Sequence, residues 1–166
     1  MKYLASILLV LCAVLCSCSK DEPKGEKLLP VVEAYSPATL DIDIDKPEWT
    51  DVVKKWDNKK IVVNSLSDIP DDPFGISDAF RNIDFNKCTL LLAYQAHNYP
   101  VNTYRNRYYK DETQDTYNWM VIVGTTDAPD QWGEQWYFSR YALLVDKLPT
   151  GAQVKFGLVS PSISWD

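Results

Sequence analysis

The chain has 166 residues and a mass of 19.0 kDa, a length typical of one domain after removal of a targeting segment. Hydrophobic residues make up 46% of it and glycine is scarce, so the composition excludes a wholly disordered or collagen-like chain. The net charge is −6, and no basic stripe is present that would neutralise phosphates. We therefore expect no nucleic acid among its partners.

The N-terminus has the layout of a secretory signal peptide. Lys2 is followed by an apolar run over residues 4–16 that ends in small residues. As a helix this run is about 20 Å long, shorter than the roughly 30 Å hydrocarbon core of a bilayer. The pattern predicts that residues 1–17 are a cleaved signal peptide and do not form a membrane span.

The residues at the end of this run carry a family resemblance. Leu15, Cys16 and Ser17 precede Cys18, and the tetrapeptide resembles the lipobox of bacterial lipoproteins. The resemblance implies that Cys18 becomes the first mature residue and is lipidated. Because one acyl chain anchors only marginally, two or three chains would give a durable attachment to the outer membrane.

A second resemblance follows immediately. Ser19, Lys20, Asp21 and Glu22 are similar to the short export signal of Bacteroidota lipoproteins that reach the cell surface. This implies a location on the cell-surface face of the outer membrane, with the periplasmic face as the alternative. Residues 18–27 are polar with Pro and Gly, which predicts a flexible tether.

The remaining residues, 28–166, predict a single globular domain rich in strands. Residues 66–80 contain Ser, Asp and Pro, typical of a loop with one or two short helical turns. We expect an α+β or mainly β fold, with an antiparallel meander of about five to seven strands and one or two short helices. The predicted strands cover residues 61–63, 89–96, 103–110, 116–126, 135–148 and 154–160.

Side-chain alternation predicts which strands lie inside the sheet. Tyr117, Trp119, Val121 and Val123 share one face, because successive side chains of a strand point to opposite sides. Residues 89–96 and 135–148 are apolar on both faces, which predicts central strands. Lysines at residues 54, 55, 59 and 60 are interrupted by Trp and Asp and are typical of a solvated surface.

Residues 61–69 and 83–91 carry a weaker resemblance. Together they give a strand and a short helix, then the pair Asp84-Phe85 that leads into an apolar strand, and this arrangement resembles the domain of PrcB-like protease-complex accessory proteins. The chain departs from that pattern at Asn98, where a Gly-Gly-Tyr segment would follow. The resemblance implies the fold, and an accessory or inhibitory role is only an alternative.

Several kinds of chemical site are excluded by spacing. Residues 41–45 open like an EF-hand, but Lys46 replaces the required Gly and Val52 the required Glu, so an edge strand is preferred there. His97 is the only histidine, and no nucleophile elbow, Walker A loop or Cys-x-x-Cys motif occurs. After lipidation of Cys18, Cys88 is the one cysteine left and cannot form an intramolecular disulfide. We predict a protein that is not an enzyme and needs neither cofactor nor metal.

Aromatic residues are crowded between residues 94 and 141. Such side chains stack on sugar rings in glycan-binding proteins, but strands also favour aromatics as ordinary core. The sequence therefore predicts a non-catalytic binding or assembly module for another envelope protein, with a glycan-binding accessory protein as the alternative. The candidate ligand-binding residues are Trp132, Trp136, Tyr137, Tyr104 and Tyr108.

Overall fold

The computed structural model describes residues 25–125 and 135–159. A 3₁₀ turn at Leu66–Asp68 lies in the predicted loop, which also contains the start of the second helix, as expected. The elements in chain order are β1 (Glu26–Leu28), β2 (Glu33–Ile42), α1 (Pro47–Trp56), β3 (Lys60–Val63), α2 (Asp78–Arg81), β4 (Cys88–His97), β5 (Thr103–Asp111), β6 (Thr116–Gly124), β7 (Trp136–Asp146) and β8 (Gln153–Val159).

The strands of the described residues form two four-stranded sheets. The front sheet has the order β1-β5-β6-β8, and the back sheet has the order β2-β7-β4-β3. All neighbouring strands are antiparallel except β6 and β8, which are parallel. The mainly β class with two short helices is confirmed. The predicted single meander is replaced by two sheets, because β7 pairs with β2 and β4, both far from it in sequence.

The two sheets pack face to face through an apolar layer. Trp119, Val121 and Val123 of β6 are buried there, as their alternation predicts. From the back sheet, β4 and β7 contribute Leu91 and Leu143 to the same cluster. The predicted central position of both β4 and β7 is confirmed, since each has a partner on both sides.

A third layer covers the outer face of the back sheet. Helix α1 packs there through Trp49, Val52, Val53 and Trp56, a spacing of i, i+3, i+4 and i+7 that places them on one face. Pro47 stands in the first turn, where its missing N–H costs nothing. This helix was not predicted from the sequence, although its apolar residues have helical spacing; only the solvated surface formed by its lysines was expected.

The N-terminal edge of the front sheet lies within the predicted tether. Glu26 pairs with Asp111 and Leu28 with Tyr109, so strand structure begins two residues before the predicted domain. An ion pair of 2.8 Å between Glu26 and Arg107 holds this edge.

The acidic run of residues 41–45 is only partly strand. Strand β2 is an edge strand, as predicted, but it ends at Ile42. Asp43 then accepts a hydrogen bond from the backbone N–H of Asp45, and the chain turns into α1. A side chain that bonds its own backbone two residues later favours this turn over an extended strand.

Candidate functional site

The predicted aromatic residues do not form one surface. Tyr104 and Tyr108 lie on β5 of the front sheet, whereas Trp136 and Tyr137 lie on β7 of the back sheet. Tyr108 is only 4% exposed and belongs to the layer between the sheets. Its candidate role is therefore corrected, because almost all of its surface is packed as core between the two sheets. Trp132 lies outside the described residues.

Trp136 and Tyr137 point to opposite sides of the back sheet. Tyr137 stacks on His97, with the ring centres 5.6 Å apart. Trp136 instead packs at the margin of the outer cluster, in register with Ile42 of β2. Tyr104 is half-buried, and its hydroxyl lies 3.4 Å from Ser36. Among the described candidates, Trp136 lines a cleft of about 350 Å³, and Tyr108 lines a smaller cavity of about 190 Å³.

This cleft, which we call the tryptophan cleft, lies where β2 ends and α1 begins. It has a volume of about 350 Å³, within the size range of small-molecule sites. Trp136 lines one part of it and Trp49, from the first turns of α1, lines another. Its lining residues are Asp41, Ile42, Asp43, Ile44, Asp45, Lys46, Trp49, Gln135 and Trp136.

Local hydrogen bonds set the shape of the tryptophan cleft. The N–H of Lys46 donates to the carbonyl of Asp43 at 3.0 Å, which closes the turn after β2. The hydroxyl of Thr50 donates to the carbonyl of Ile44 at 3.1 Å and ties α1 to that turn. Trp49 is therefore held against the sheet end by the same contacts that start the helix.

The two indoles and the carboxylates give the tryptophan cleft its chemistry. Trp49 and Trp136 are half-buried, each packed against the outer cluster and also lining the cleft. The three aspartates at 41, 43 and 45 are exposed acceptors, and Asp43 also meets the Lys46 ammonium at 3.7 Å. No metal-binding group of His, Cys, Asp or Glu is assembled within the described ranges. The arrangement suits a ligand that presents both hydroxyl groups and an apolar face.

A second polar cluster lies between the sheets around His97. The carbonyl of Tyr99 accepts from Nδ1 at 2.7 Å, so Nε2 accepts from the Ser139 hydroxyl at 2.8 Å. Ser139 in turn accepts from Thr39 at 2.9 Å. The pair looks like a nucleophile and its base, but Ser139 is 0% exposed. This chain of hydrogen bonds joins β2, β7 and β4 through Thr39, Ser139 and His97.

The burial of His97 affects its protonation. Desolvation lowers the pKa of its imidazole, and the hydrogen bond to the Tyr99 carbonyl offsets this only in part. The sequence position at the end of a strand gave no sign that the ring would be buried.

A third cluster fastens the covering layer to the back sheet. Arg140 of β7 donates to both carboxylate oxygens of Asp72, at 3.1 and 2.9 Å, and to the carbonyl of Gly75. Tyr94 of β4 donates to the same carboxylate at 2.6 Å, and burial raises the pKa of that phenol. Sequence reasoning missed this cluster, because a lone Arg in an apolar strand does not reveal its partner.

The predicted lipidation and export residues lie outside the described residues. These are Cys18, Lys20, Asp21 and Glu22. Cys88 is a free, half-buried thiol that packs at the margin of the outer cluster. In the described part of the chain, no helix has the length and apolar character needed to cross a bilayer.

Comparison with protein-family models, with curated proteins and with solved structures finds no match to this chain. The chemistry of the tryptophan cleft is therefore the observation from which a function can be argued. The tryptophan cleft combines open space with two indole rings and several hydrogen-bonding side chains.

Proposed function

We propose that the protein is a lipid-anchored module of the cell envelope that binds a glycan, without catalysis, in the tryptophan cleft. The observation that carries this proposal is the pair Trp49 and Trp136 lining one cleft together with three exposed aspartates. The anchor is Cys18, and the signal at Lys20, Asp21 and Glu22 favours the cell-surface face of the outer membrane.

The ligand class follows from the lining of the cleft. A pyranose has an apolar face that packs on an aromatic ring and a rim of hydroxyls that donate to carboxylates. Asp41 and Asp45 supply acceptors, and the amide of Gln135 both donates and accepts. The negative charge of these aspartates disfavours anionic ligands, so a neutral or amino-sugar oligosaccharide fits best.

The absence of catalysis is also part of the proposal. Ser139 and His97 are turned into the space between the sheets, and Asp72 is committed to Arg140. Both clusters use their hydrogen-bonding groups within the fold. The carboxylates of the cleft are exposed to solvent, which suits binding more than general acid catalysis.

The binding experiment compares two variants with a matched control. Trp136→Phe and Trp49→Phe reduce the stacking surface while keeping an aromatic ring in the core. Tyr109→Ala removes a half-buried aromatic from the outer face of the front sheet, away from the cleft. The readout is calorimetric titration with neutral and amino-sugar oligosaccharides chosen from a glycan array.

We expect each tryptophan variant to weaken binding by about fivefold, the loss of about 1 kcal/mol of stacking. Tyr109→Ala should bind as the parent does. If the parent binds no oligosaccharide, or both tryptophan variants bind like the parent, the glycan site is wrong.

The anchor is tested separately from the ligand. Cys18→Ala should move the full-length protein from the membrane fraction to the soluble fraction, and retention through a carbonate wash would refute the anchor. Replacing Lys20, Asp21 and Glu22 by alanine should protect the anchored protein from protease added to intact cells. Unchanged digestion would refute the export signal.

A further inference from the structure

A second cavity lies at the opposite end of β7 from the tryptophan cleft. The cleft is lined by Trp136, the first residue of this strand, and the cavity by Asp146, the last. Strand β7 has 11 residues, so at about 3.3 Å per residue its two ends are roughly 30 Å apart. We call this second space the tyrosine cavity, and its distance from the tryptophan cleft makes the two sites independent of each other.

Apolar and aromatic side chains form most of the wall of the tyrosine cavity. Leu29 and Pro30, which follow β1, line one part of it, and Leu148, which follows β7, lines another. Tyr108 and Tyr117 complete this wall, with nearly parallel rings whose centres are 6.3 Å apart. The volume is about 190 Å³. A water molecule occupies about 30 Å³ in the liquid, so the space is large enough for one short alkyl chain.

The hydroxyl of Tyr108 is a polar group that the fold does not use. The ring is core and the residue is only 4% exposed, so the ring itself offers no stacking surface. Burial raises the pKa of the Tyr108 phenol, and the neighbouring Tyr117 and Asp146 raise it further. Both neighbours line the cavity, so the hydroxyl end of Tyr108 faces it. No hydrogen bond joins this hydroxyl to another described residue, which is unusual for a side chain buried to this extent.

The lining of the tyrosine cavity contains one acidic and one basic side chain. Asp146 is exposed and forms no ion pair within the part of the chain that the structure describes. The ammonium of Lys147 instead donates to the carbonyls of Asn64 and Phe85, at 3.2 and 2.8 Å. Neither of those carbonyls belongs to a residue that lines the cavity. The carboxylate of Asp146 is therefore available to a ligand, whereas the ammonium of Lys147 is already bonded.

A second lysine lies near the cavity and is also engaged. The ammonium of Lys110 lies 5.4 Å from the centre of the Tyr117 ring. It forms an ion pair with Asp115 at 2.7 Å. Its charge is thus balanced by its own partner, and it leaves Asp146 without a cation.

We propose that the tyrosine cavity binds a primary alkylammonium group, carried by a free amine or by a lysine side chain. The ammonium has three N–H donors, which suit the Asp146 carboxylate and the Tyr108 hydroxyl. The Tyr117 ring lies beside the positive charge, and the alkyl chain packs against Leu29 and Leu148. The net charge of −6 also attracts a cation to the molecule.

The experiment titrates the isotope-labelled full-length protein, in a non-ionic detergent at about pH 7, with n-butylamine. Amide chemical shifts in the NMR spectrum give both the affinity and the site, through Leu29 and Leu148. n-Butanol is the control without a charge, and choline is the control with a charge but no N–H donor. Nα-acetyl-lysine N-methylamide presents the same ammonium on an amino acid.

We expect n-butylamine and the lysine derivative to bind at least tenfold more tightly than n-butanol and choline. Tyr108→Phe keeps the ring in the core and removes only the hydroxyl, and Asp146→Asn removes only the charge. Each should weaken binding of n-butylamine by about tenfold, as expected for the loss of a hydrogen bond to a charged group.

Two matched variants control for these substitutions. Tyr141→Phe removes a buried phenol hydroxyl from the same cluster between the sheets, but Tyr141 does not line the cavity. Asp51→Asn removes an exposed carboxylate on α1. Both should bind n-butylamine as the parent does. Melting temperatures measured in parallel show whether each variant keeps the fold.

The two ammonium ligands distinguish the source of the group. Tighter binding of the lysine derivative than of n-butylamine identifies a protein chain as the source, and the reverse order identifies a free amine.

Four results would overturn the proposal. The parent may show no shift with either amine, n-butanol or choline may bind as tightly as n-butylamine, or Tyr108→Phe and Asp146→Asn may both bind as the parent does. In the fourth, the shifts are confined to residues of the tryptophan cleft, which would place the amine on the aspartates there.

Discussion

The two sheets of this protein occupy different physical positions. Strands β4 and β7 of the back sheet are buried almost throughout, because one face meets the front sheet and the other meets α1 and the loop after β3. Strand β6 of the front sheet largely alternates between buried and partly exposed residues, and β5 has one buried residue, Tyr108. The back sheet is thus the middle of three layers, and the front sheet is a boundary. The comparison shows why one sheet is apolar on both faces and the other is amphipathic.

The layers are also fastened differently. The two sheets meet through apolar and aromatic side chains such as Trp119 and Phe156, whose ring centres are 5.0 Å apart. The covering layer adds a buried ion pair, since the Arg140 and Asp72 side chains are 7% and 1% exposed. Phe74 and Phe80 both lie 5.0 Å from the Arg140 guanidinium. The Arg140 guanidinium can be buried there because the loop after β3 places the Asp72 carboxylate beside it.

The largest expected effect comes from separating that pair. Arg140→Met leaves the Asp72 carboxylate buried without its cation, and we expect a loss of about 3 kcal/mol or more in the free energy of unfolding. Urea denaturation measures the loss. The double variant Asp72→Asn with Arg140→Met should recover part of it, because the amide oxygen still accepts from Tyr94. A double variant no more stable than the single one would contradict this account.

The next prediction compares the loss of stability when an apolar side chain is truncated to alanine on the outer face of each sheet. Leu92 is 1% exposed beneath the covering layer, so Leu92→Ala should cost about 2 to 5 kcal/mol. Ile122 is half-buried on the outer face of the front sheet, and Ile122→Ala should cost about 1 kcal/mol or less. Denaturant midpoints of the protein in solution measure both. Equal losses would mean that the front sheet is covered as well.

A smaller effect concerns how the free energy of unfolding depends on pH. Because burial lowers the pKa of His97 from the ordinary 6.5, the folded protein binds this proton less readily than the unfolded chain. The free energy of unfolding should therefore fall as the pH drops through 6.5 and below, toward the lowered pKa of the folded state. Urea unfolding at about pH 8 and about pH 5 measures the change. His97→Gln should flatten that dependence, and an unchanged slope would refute the assignment.

The last prediction is that neither EDTA nor reductant changes the melting temperature. A soluble protein that begins near Leu28, or at Gly25 to retain β1, should melt at the same temperature with or without EDTA and with or without reductant. Within the described residues no metal-binding group is assembled and Cys88 is a free thiol. Calorimetry measures the melting temperature. A clear loss with EDTA would show that the acidic run near Asp43 binds a metal after all.

The strands were the most predictable part of the molecule. Alternation of apolar and polar residues in β6 predicts one buried face, and the continuous apolar character of β4 and β7 predicts two. Helix α1 was not predicted although Trp49, Val52 and Trp56 have helical spacing, because a helix of ten residues with lysines on its exposed side gives only a short periodic signal. The candidate site was partly predicted: Trp136 was named, but Trp49 was not.

The sequence alone determined the mainly β class and the positions of β3 to β8, and it carries the lipoprotein resemblance at Cys18, because each depends on residues close together in the chain; β1 and most of β2 were not predicted. Only the tertiary structure decided that the strands form two sheets, that Tyr108 is core and that Trp136 meets Trp49. It also joined Arg140 to Asp72, 68 residues away. These facts depend on pairing between distant strands, and local periodicity contains no information about which distant strand lies beside which.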